Sequence, residues 1–321
     1  MLKNTPAMYK KAYPFLKEVD SLALANVQLH LEKAYKNFFR DPKVGFPRFK
    51  SKHHSKNSYT TNVVNGNILV EDNRIRLPKL KWISMKKHRE PAENCRLKSV
   101  TVSMEPSGKY FASLLYEGYS CENQAADKDY SNAKILGIDY AMQGMAVFSE
   151  EIEMEEAGFF RKNEKRLARE QRKLSRCVKG SRNYVRQKKK VARCHEKIRS
   201  QRRDYLHKLS RRITDQYDIV AVEDIDMKAM SQCLHFGKSV QDNGYGMFRN
   251  MLDYKLAWKG KELVKVDRFF SSSKKCSKCG KIKKELKLSE RVYRCSCGNE
   301  MDRDRNAAIN IREEARRMLA A

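Results

Sequence analysis

No stretch of this sequence approaches the eighteen or so consecutive apolar residues of a membrane-spanning helix, and Met1-Leu2-Lys3-Asn4-Thr5-Pro6 lacks the apolar core of a secretory leader. The cysteines lack a disulfide framework. Nine is an odd number; Cys276, Cys279, Cys295 and Cys297 crowd into 22 residues, while Cys95, Cys121, Cys177, Cys194 and Cys233 are scattered. That usage excludes a stapled secreted domain and points to a reducing compartment with one metal site, the scattered five being ordinary buried or partly buried thiols. Acidic residues are scarce: 39 Asp and Glu face 68 Lys and Arg, a formal charge of +29. A folded chain this basic repels itself, so its excess normally answers a polyanion. A membrane surface is the other option but would require an amphipathic apolar face or a spanning segment, so the charge favours nucleic acid as the partner. With 40% hydrophobic and 33% charged residues, the 321-residue chain is globular and long enough for two or three domains.

Apolar spacing predicts a helix over 14–39, broken by Asp41-Pro42 and Gly45-Phe46-Pro47. Strands are predicted at Asn67–Val70, Arg74–Leu77, Leu97–Met104 and Tyr110–Tyr116, with turns at Asn65-Gly66 and Ser107-Gly108-Lys109. Residues 1–120 therefore read as a β-barrel-like module with a helical insertion, and the polar stretch Ser120–Asn132 as a linker. From 133 to 321 the pattern is α/β. Ile135–Asp139 and Met145–Phe148 suggest a hairpin, Ile219–Val222 a strand buried on both faces, and Leu263–Val266 a further strand. Between them, residues 161–215 hold 22 Lys and Arg against 5 Asp and Glu. Leu167 and Leu174, then Tyr184, Val191, Ile198 and Tyr205, recur every seven residues on either side of Gly180-Ser181, which predicts two long helices packed along one seam. A merely solvated helix usually mixes signs to gain i,i+4 pairs, and this one does not. The hairpin reads as a nucleic-acid contact.

The late cysteines form C-x2-C-x15-C-x-C within residues 271–300, and Gly280 and Gly298 follow the two pairs. Two tight Cys turns supply the four soft, tetrahedral ligands that a structural Zn2+ requires, with no position left open for catalysis. Three carboxylates stand where a side chain can be presented rigidly. Asp139 ends an apolar strand, Glu223 ends the buried strand, and Asp304 opens the last helix. Hydrolysis of a phosphodiester by two divalent cations needs hard oxygen ligands, so such sites are built from Asp and Glu. Each acid alone is better explained as a turn or cap residue. It is the set, in a strongly basic chain with a cysteine ribbon before the last member, that suggests a nuclease.

Gly137-Ile-Asp-Tyr, Val222-Glu-Asp-Ile-Asp-Met-Lys, Asp267-Arg-Phe-Phe-Ser-Ser-Ser-Lys-Lys-Cys-Ser-Lys-Cys-Gly and Asp302-Arg-Asp-Arg-Asn-Ala-Ala-Ile-Asn-Ile resemble the successive RuvC and zinc-ribbon motifs of the TnpB (OrfB) family of bacterial and archaeal insertion sequences, to which type V CRISPR effectors are similar. Leu16-Lys-Glu-Val-Asp-Ser, Lys36-Asn-Phe-Phe, Gly45-Phe-Pro-Arg-Phe-Lys and Ser107-Gly-Lys-Tyr are similar in style to the N-terminal half of the family. The resemblance implies an RNA-guided DNA endonuclease with an RNase-H-like RuvC domain over 133–321. It also implies a wedge module over 1–120, short of a first barrel strand, and a guide RNA from the transposon end. Asp139, Glu223 and Asp304 are the implied catalytic ligands of two Mg2+ ions, with Asp302 the fallback for the third because both acids lie in the matching segment. The implied setting is the prokaryotic cytoplasm, on the nucleoid during action. Ala141 stands where the family usually has glycine, which matters if the backbone there needs a positive φ. Two rivals stay open: a nucleic-acid-binding remnant that no longer cuts, and a cut-and-paste transposase with the same kind of acidic triad.

Overall fold

A computed structural model describes residues 5–49, 51, 57–118, 130, 132–141, 145–153, 158–226, 244–287 and 289–320. Most of the expected linker, Cys121, Cys233 and Met227-Lys228 lie outside these residues. The chain divides into two compact units, Met1–Glu122 and Asn123–Ala321.

In the first unit, a short helix α1 (Pro6–Tyr9) and a 3-10 turn (Pro14–Lys17) precede α2 (Ser21–Arg40). The helix expected over 14–39 is therefore interrupted. Asp20 leaves helical geometry and caps α2 by accepting from the Leu22 N–H at 3.2 Å. The strands are β1 (Asn57–Asn62), β2 (Leu69–Glu71), β3 (Arg74–Leu77), β4 (Lys81–Ser84), β5 (Arg96–Met104) and β6 (Tyr110–Glu117). They form two antiparallel three-stranded sheets, β1-β5-β6 and β2-β3-β4. Among the described residues these sheets are open, and no closed barrel is formed. Ile68, Ile75, Leu77 and Val100 make their shared core. α2 is fastened to β1 by polar contacts: Thr61 donates to Asp20, and the Asn26 amide donates to the Thr60 carbonyl at 2.9 Å.

The second unit is α/β. Its sheet has the order β10 (Glu262–Val266), β9 (Ile219–Glu223), β7 (Ile135–Asp139), β8 (Val147–Phe148). The pairs β10–β9 and β9–β7 are parallel, whereas β8 is antiparallel to β7. Alternation along the strands explains the continuous apolar runs, because each face has its own cover. Leu136, Ile138, Val220 and Val222 face Leu206, Leu209 and Ile213 of α4 (Arg182–Gln216) and Phe248, Leu252 and Leu256 of α5 (Tyr245–Trp258). Ile135, Ile219, Ala221, Val264 and Val266 face Ile311 and Ala315 of α6 (Arg303–Ala320). The result is a helix–sheet–helix sandwich.

α3 (Phe159–Ser175) pairs with α4. Gly180, at φ 85°, reverses the chain between them, and Ser181 caps α4 by accepting from the Tyr184 N–H at 3.1 Å. Leu167, Cys194 and Ile198 close the seam, with Val191 partly buried beside them. Between β10 and α6 lies a cysteine-bearing ribbon whose two strands, β11 (Val292–Arg294) and β12 (Glu300–Asp302), are antiparallel. Tyr293 is buried beneath it and donates its hydroxyl to the Lys274 carbonyl at 3.0 Å. No helix among the described residues is long and apolar enough to cross a membrane.

Candidate active site, cysteine cluster and basic cleft

β7 and β9 are parallel neighbours with Ile138 opposite Val222, so Asp139 and Glu223, one residue further on, leave the same edge of the sheet side by side. Adjacent strands lie about 4.8 Å apart, which makes the two carboxylates close neighbours. The third acid arrives through helix packing. At Gly137 an added Cβ would lie 2.0 Å from the Ala308 carbonyl oxygen and 2.8 Å from the Arg312 nitrogen, so α6 rests directly on the β7 backbone. Asp304 is four residues, or about one turn, before that contact.

The structure also separates the two candidates for the third position. Asp302 is the helix cap: its Oδ1 accepts from the N–H groups of Asp304 and Arg305, both at 2.9 Å. Asp304 instead stands in the first turn, paired with Arg303 (Nη2–Oδ1, 3.2 Å) and Arg291 (Nη1–Oδ2, 3.6 Å). Beside Glu223, Asp224 is taken up by Arg249 at 3.3 Å and Arg268 at 3.9 Å. Electrostatics report the convergence. Burial, then the charges of Glu223 and Asp304, push the Asp139 carboxyl up to about 8, against the opposing pull of Arg303 and the Tyr140 N–H. Burial also raises Glu223, opposed by a hydrogen bond from Ser272. Asp139 and Glu223, both raised, with the Asp304 charge acting on Asp139, form a site that a divalent cation can relieve.

Among the described residues, the four cysteines alone form a group of three or more His, Cys, Asp or Glu whose ligand atoms all lie within 4.8 Å of one another. Ala141 is buried, accepts from the Tyr245 hydroxyl, and is not among the residues with positive φ, so its methyl group meets no backbone strain.

In the ribbon, Cys276 and Cys297 have sulfurs 3.7 Å apart, and Cys279 and Cys295 3.6 Å apart. A tetrahedron of sulfurs about 2.3 Å from Zn2+ has edges of about 3.8 Å, so the cluster fits the ion in size and chemistry. Burial opposes ionisation of Cys276, but the N–H groups of Cys279 and Lys278 and the Asn299 amide bring its thiol down to about 6. Thiolate is the form that binds zinc.

Between α3 and α4 is a cleft of about 290 Å³ lined by Arg166, Lys173, Lys190, Arg193 and Lys197. Its one acid, Glu170, is buried in the seam and accepts from the Gln187 amide at 2.7 Å, which holds it below the usual carboxylate range. The free charge of the cleft is therefore positive.

Sequence reasoning gave no role to Gly137, whose missing side chain admits α6, or to Ser272, whose hydroxyl opposes the rise of the Glu223 carboxyl. The signal for Gly137 was a glycine inside an otherwise apolar strand, which often marks a close backbone approach.

The family model OrfB_IS605, described as "Probable transposase", matches residues 118–234, and "Cas12f1-like, TNB domain" matches 245–311. A Streptomyces pristinaespiralis protein named "Putative RNA-guided DNA endonuclease" is 35% identical over 302 residues, covering 92% of this chain and 72% of its own. An Escherichia coli K12 protein bearing the same description is 33% identical over 322 residues, covering 95% and 77%. The protein in a cryo-EM structure of a Cas12f1–sgRNA–target DNA complex superposes with a TM-score of 0.56 at 16% identity, over 91% of this chain and 71% of that one, a likeness of fold.

Proposed function

This chain belongs to the TnpB (OrfB) family of insertion-sequence proteins, and on that premise we propose that it is an RNA-guided DNA endonuclease cutting through Asp139, Glu223 and Asp304. The observation that carries the reading is the register that sets Asp139 and Glu223 side by side at one edge of a rigid sheet, with the helix that bears Asp304 packed directly on the β7 backbone.

Asp139, Glu223 and Asp304 offer only hard oxygen donors, the chemistry Mg2+ selects, and two such ions would activate a water and stabilise the leaving oxygen. Asp139 would hold a cation only in its deprotonated form. Arg303 and Arg291, paired with Asp304, would supply positive charge to a phosphate brought to the three acids. The cysteine ribbon over 271–300 is a structural zinc site within the RuvC-like domain 133–321, whose sheet order and single antiparallel strand suit an RNase-H-like fold.

The helices over 161–215 grip phosphates without reading bases, as suits a duplex whose sequence is read by base pairing. The guide comes from the transposon end, and residues 1–120 form the wedge module. The work belongs to the cytoplasm, on the nucleoid.

Purified protein with its cognate RNA and Mg2+ is expected to make double-strand breaks in matched DNA, and Asp139→Ala to make none. Equal cutting by both proteins removes the catalytic assignment. Products joined to a new target, in place of simple breaks, turn the reading to a cut-and-paste transposase.

A further inference from the structure

A run of buried amide contacts joins the cysteine knuckle to the carboxylates. Asn306 is fully buried. Its Nδ2 donates to the Lys275 carbonyl at 2.7 Å, and its Oδ1 accepts from the Ser277 N–H at 3.0 Å. Both ends of one amide are thus spent on the two backbone groups that flank Cys276. Turning the amide over would set donor against donor and acceptor against acceptor, so its orientation is fixed.

Asn310, one turn later and 3% exposed, donates to the same Lys275 carbonyl at 2.6 Å and to the Ser272 carbonyl at 2.8 Å. Asn299 approaches from the other side of the knuckle, its amide 3.4 Å from the Cys276 sulfur. The run leads towards the acids. Ser272 is itself buried, and its hydroxyl opposes the rise of the Glu223 carboxyl. Asp304 lies two residues before Asn306, in the same first stretch of α6.

These contacts are of the costly kind. An apolar pair would fill the same helix face without any requirement for geometry, whereas two buried amides are tolerated only when every polar atom finds its partner. The partners here are backbone groups of a knuckle whose shape four sulfurs and a metal ion define.

We propose that Asn306 and Asn310 are positioning residues, a double amide latch that transmits the metal-set shape of the cysteine knuckle to Glu223 and Asp304. In this arrangement the ribbon is a template for the cation site as well as a stabiliser of the fold. The inference rests on the reading that Asp139, Glu223 and Asp304 hold divalent cations.

The test uses the full-length, zinc-loaded protein and Mn2+ as probe, with its binding followed by electron paramagnetic resonance and Asp139→Ala marking the signal that belongs to the carboxylates. In Asn306→Ala and Asn310→Ala, zinc content is expected to stay at one per chain and RNA binding to stay unchanged. Mn2+ affinity is expected to fall by about tenfold or more, the usual scale for residues that orient metal ligands, and the Mg2+ requirement for cleavage to rise in proportion. A purely structural role would lower the melting temperature and leave the affinity of the folded fraction alone.

Should Asn306→Ala fail to fold, Ser272→Ala leaves the knuckle intact and breaks only the last link. Weakened Mn2+ binding there supports the latch, and unchanged binding overturns it. Parental Mn2+ affinity in all the folded variants overturns the latch while leaving the cation site standing. A parent protein with no Asp139-dependent Mn2+ signal overturns both.

Discussion

At Asp139 the cost of assembling three acids is concentrated in one carboxyl group. Its ordinary value is 3.8, and in the folded protein it is pushed up to about 8 by burial and by Glu223 and Asp304. Between those values the folded chain holds a proton that the unfolded chain has lost. Stability from this group is therefore complete at low pH and declines as pH rises towards about 8. Asp139→Asn removes the decline. Without added divalent cation, the variant is expected to melt higher than the parent at pH 8.5, by roughly several degrees, with the difference closing towards pH 4. Calorimetry across that range checks it; a gap that is constant with pH sinks the assignment of the raised carboxyl. This residue was legible from its place at the end of an apolar strand, whereas its neighbour Gly137 was not. Chain order cannot show that a backbone carbonyl from residue 308 will lie where a methyl group would have to go.

Among the elements, α6 on β7 has the least tolerance. The atoms opposing a Cβ at position 137 are backbone atoms, so no side chain can swing aside. Gly137→Ala is expected to lower the urea midpoint by the equivalent of about 3 kcal/mol, the upper end for overpacking. The same variant is expected to keep its zinc and lose cleavage, because Asp304 rides on the displaced helix. A midpoint within error of the parent would show that the two elements part more easily than their contact implies.

The strands that hold the site were readable because burial on both faces leaves an unbroken apolar run, as in Ile219–Val222. The hairpin helices were readable from their break at Gly180-Ser181. Others were not. β1 is Asn-Ser-Tyr-Thr-Thr-Asn, polar throughout, and is held by pairing with β5 and by Asp20 and Asn26 rather than by its own hydrophobicity. α2 carried a strong apolar period, yet only Ala23 and Asn26 are buried along it, so periodicity located the helix and misjudged which face was covered. Asn306 and Asn310 were visible as amides four residues apart around Ala-Ala-Ile, but their partners lie some thirty residues upstream in a ribbon whose shape the sequence states only as spacing.

On the scale of the whole molecule, a formal charge of +29 is the strongest statement the composition makes, and α3 and α4 give it an address. Replacing Lys190, Arg193 and Lys197 together by Gln is expected to weaken nucleic-acid binding equally for matched and unmatched sequences. The slope of log affinity against log salt should fall by about 2–3 in magnitude, since each phosphate contact on duplex DNA contributes about 0.9. Fluorescence anisotropy between roughly 50 and 200 mM KCl reads it. A slope that does not move takes the cleft out of the interface.

α4 is continuous from Arg182 to Gln216, with its charged half beside α3 and Leu206, Leu209 and Ile213 wedged under the sheet that carries Asp139 and Glu223. Thirty-five residues of helix span about 52 Å. One rod thus carries both the basic face beside α3 and the apolar face under the sheet, so neither can slide along its axis without the other.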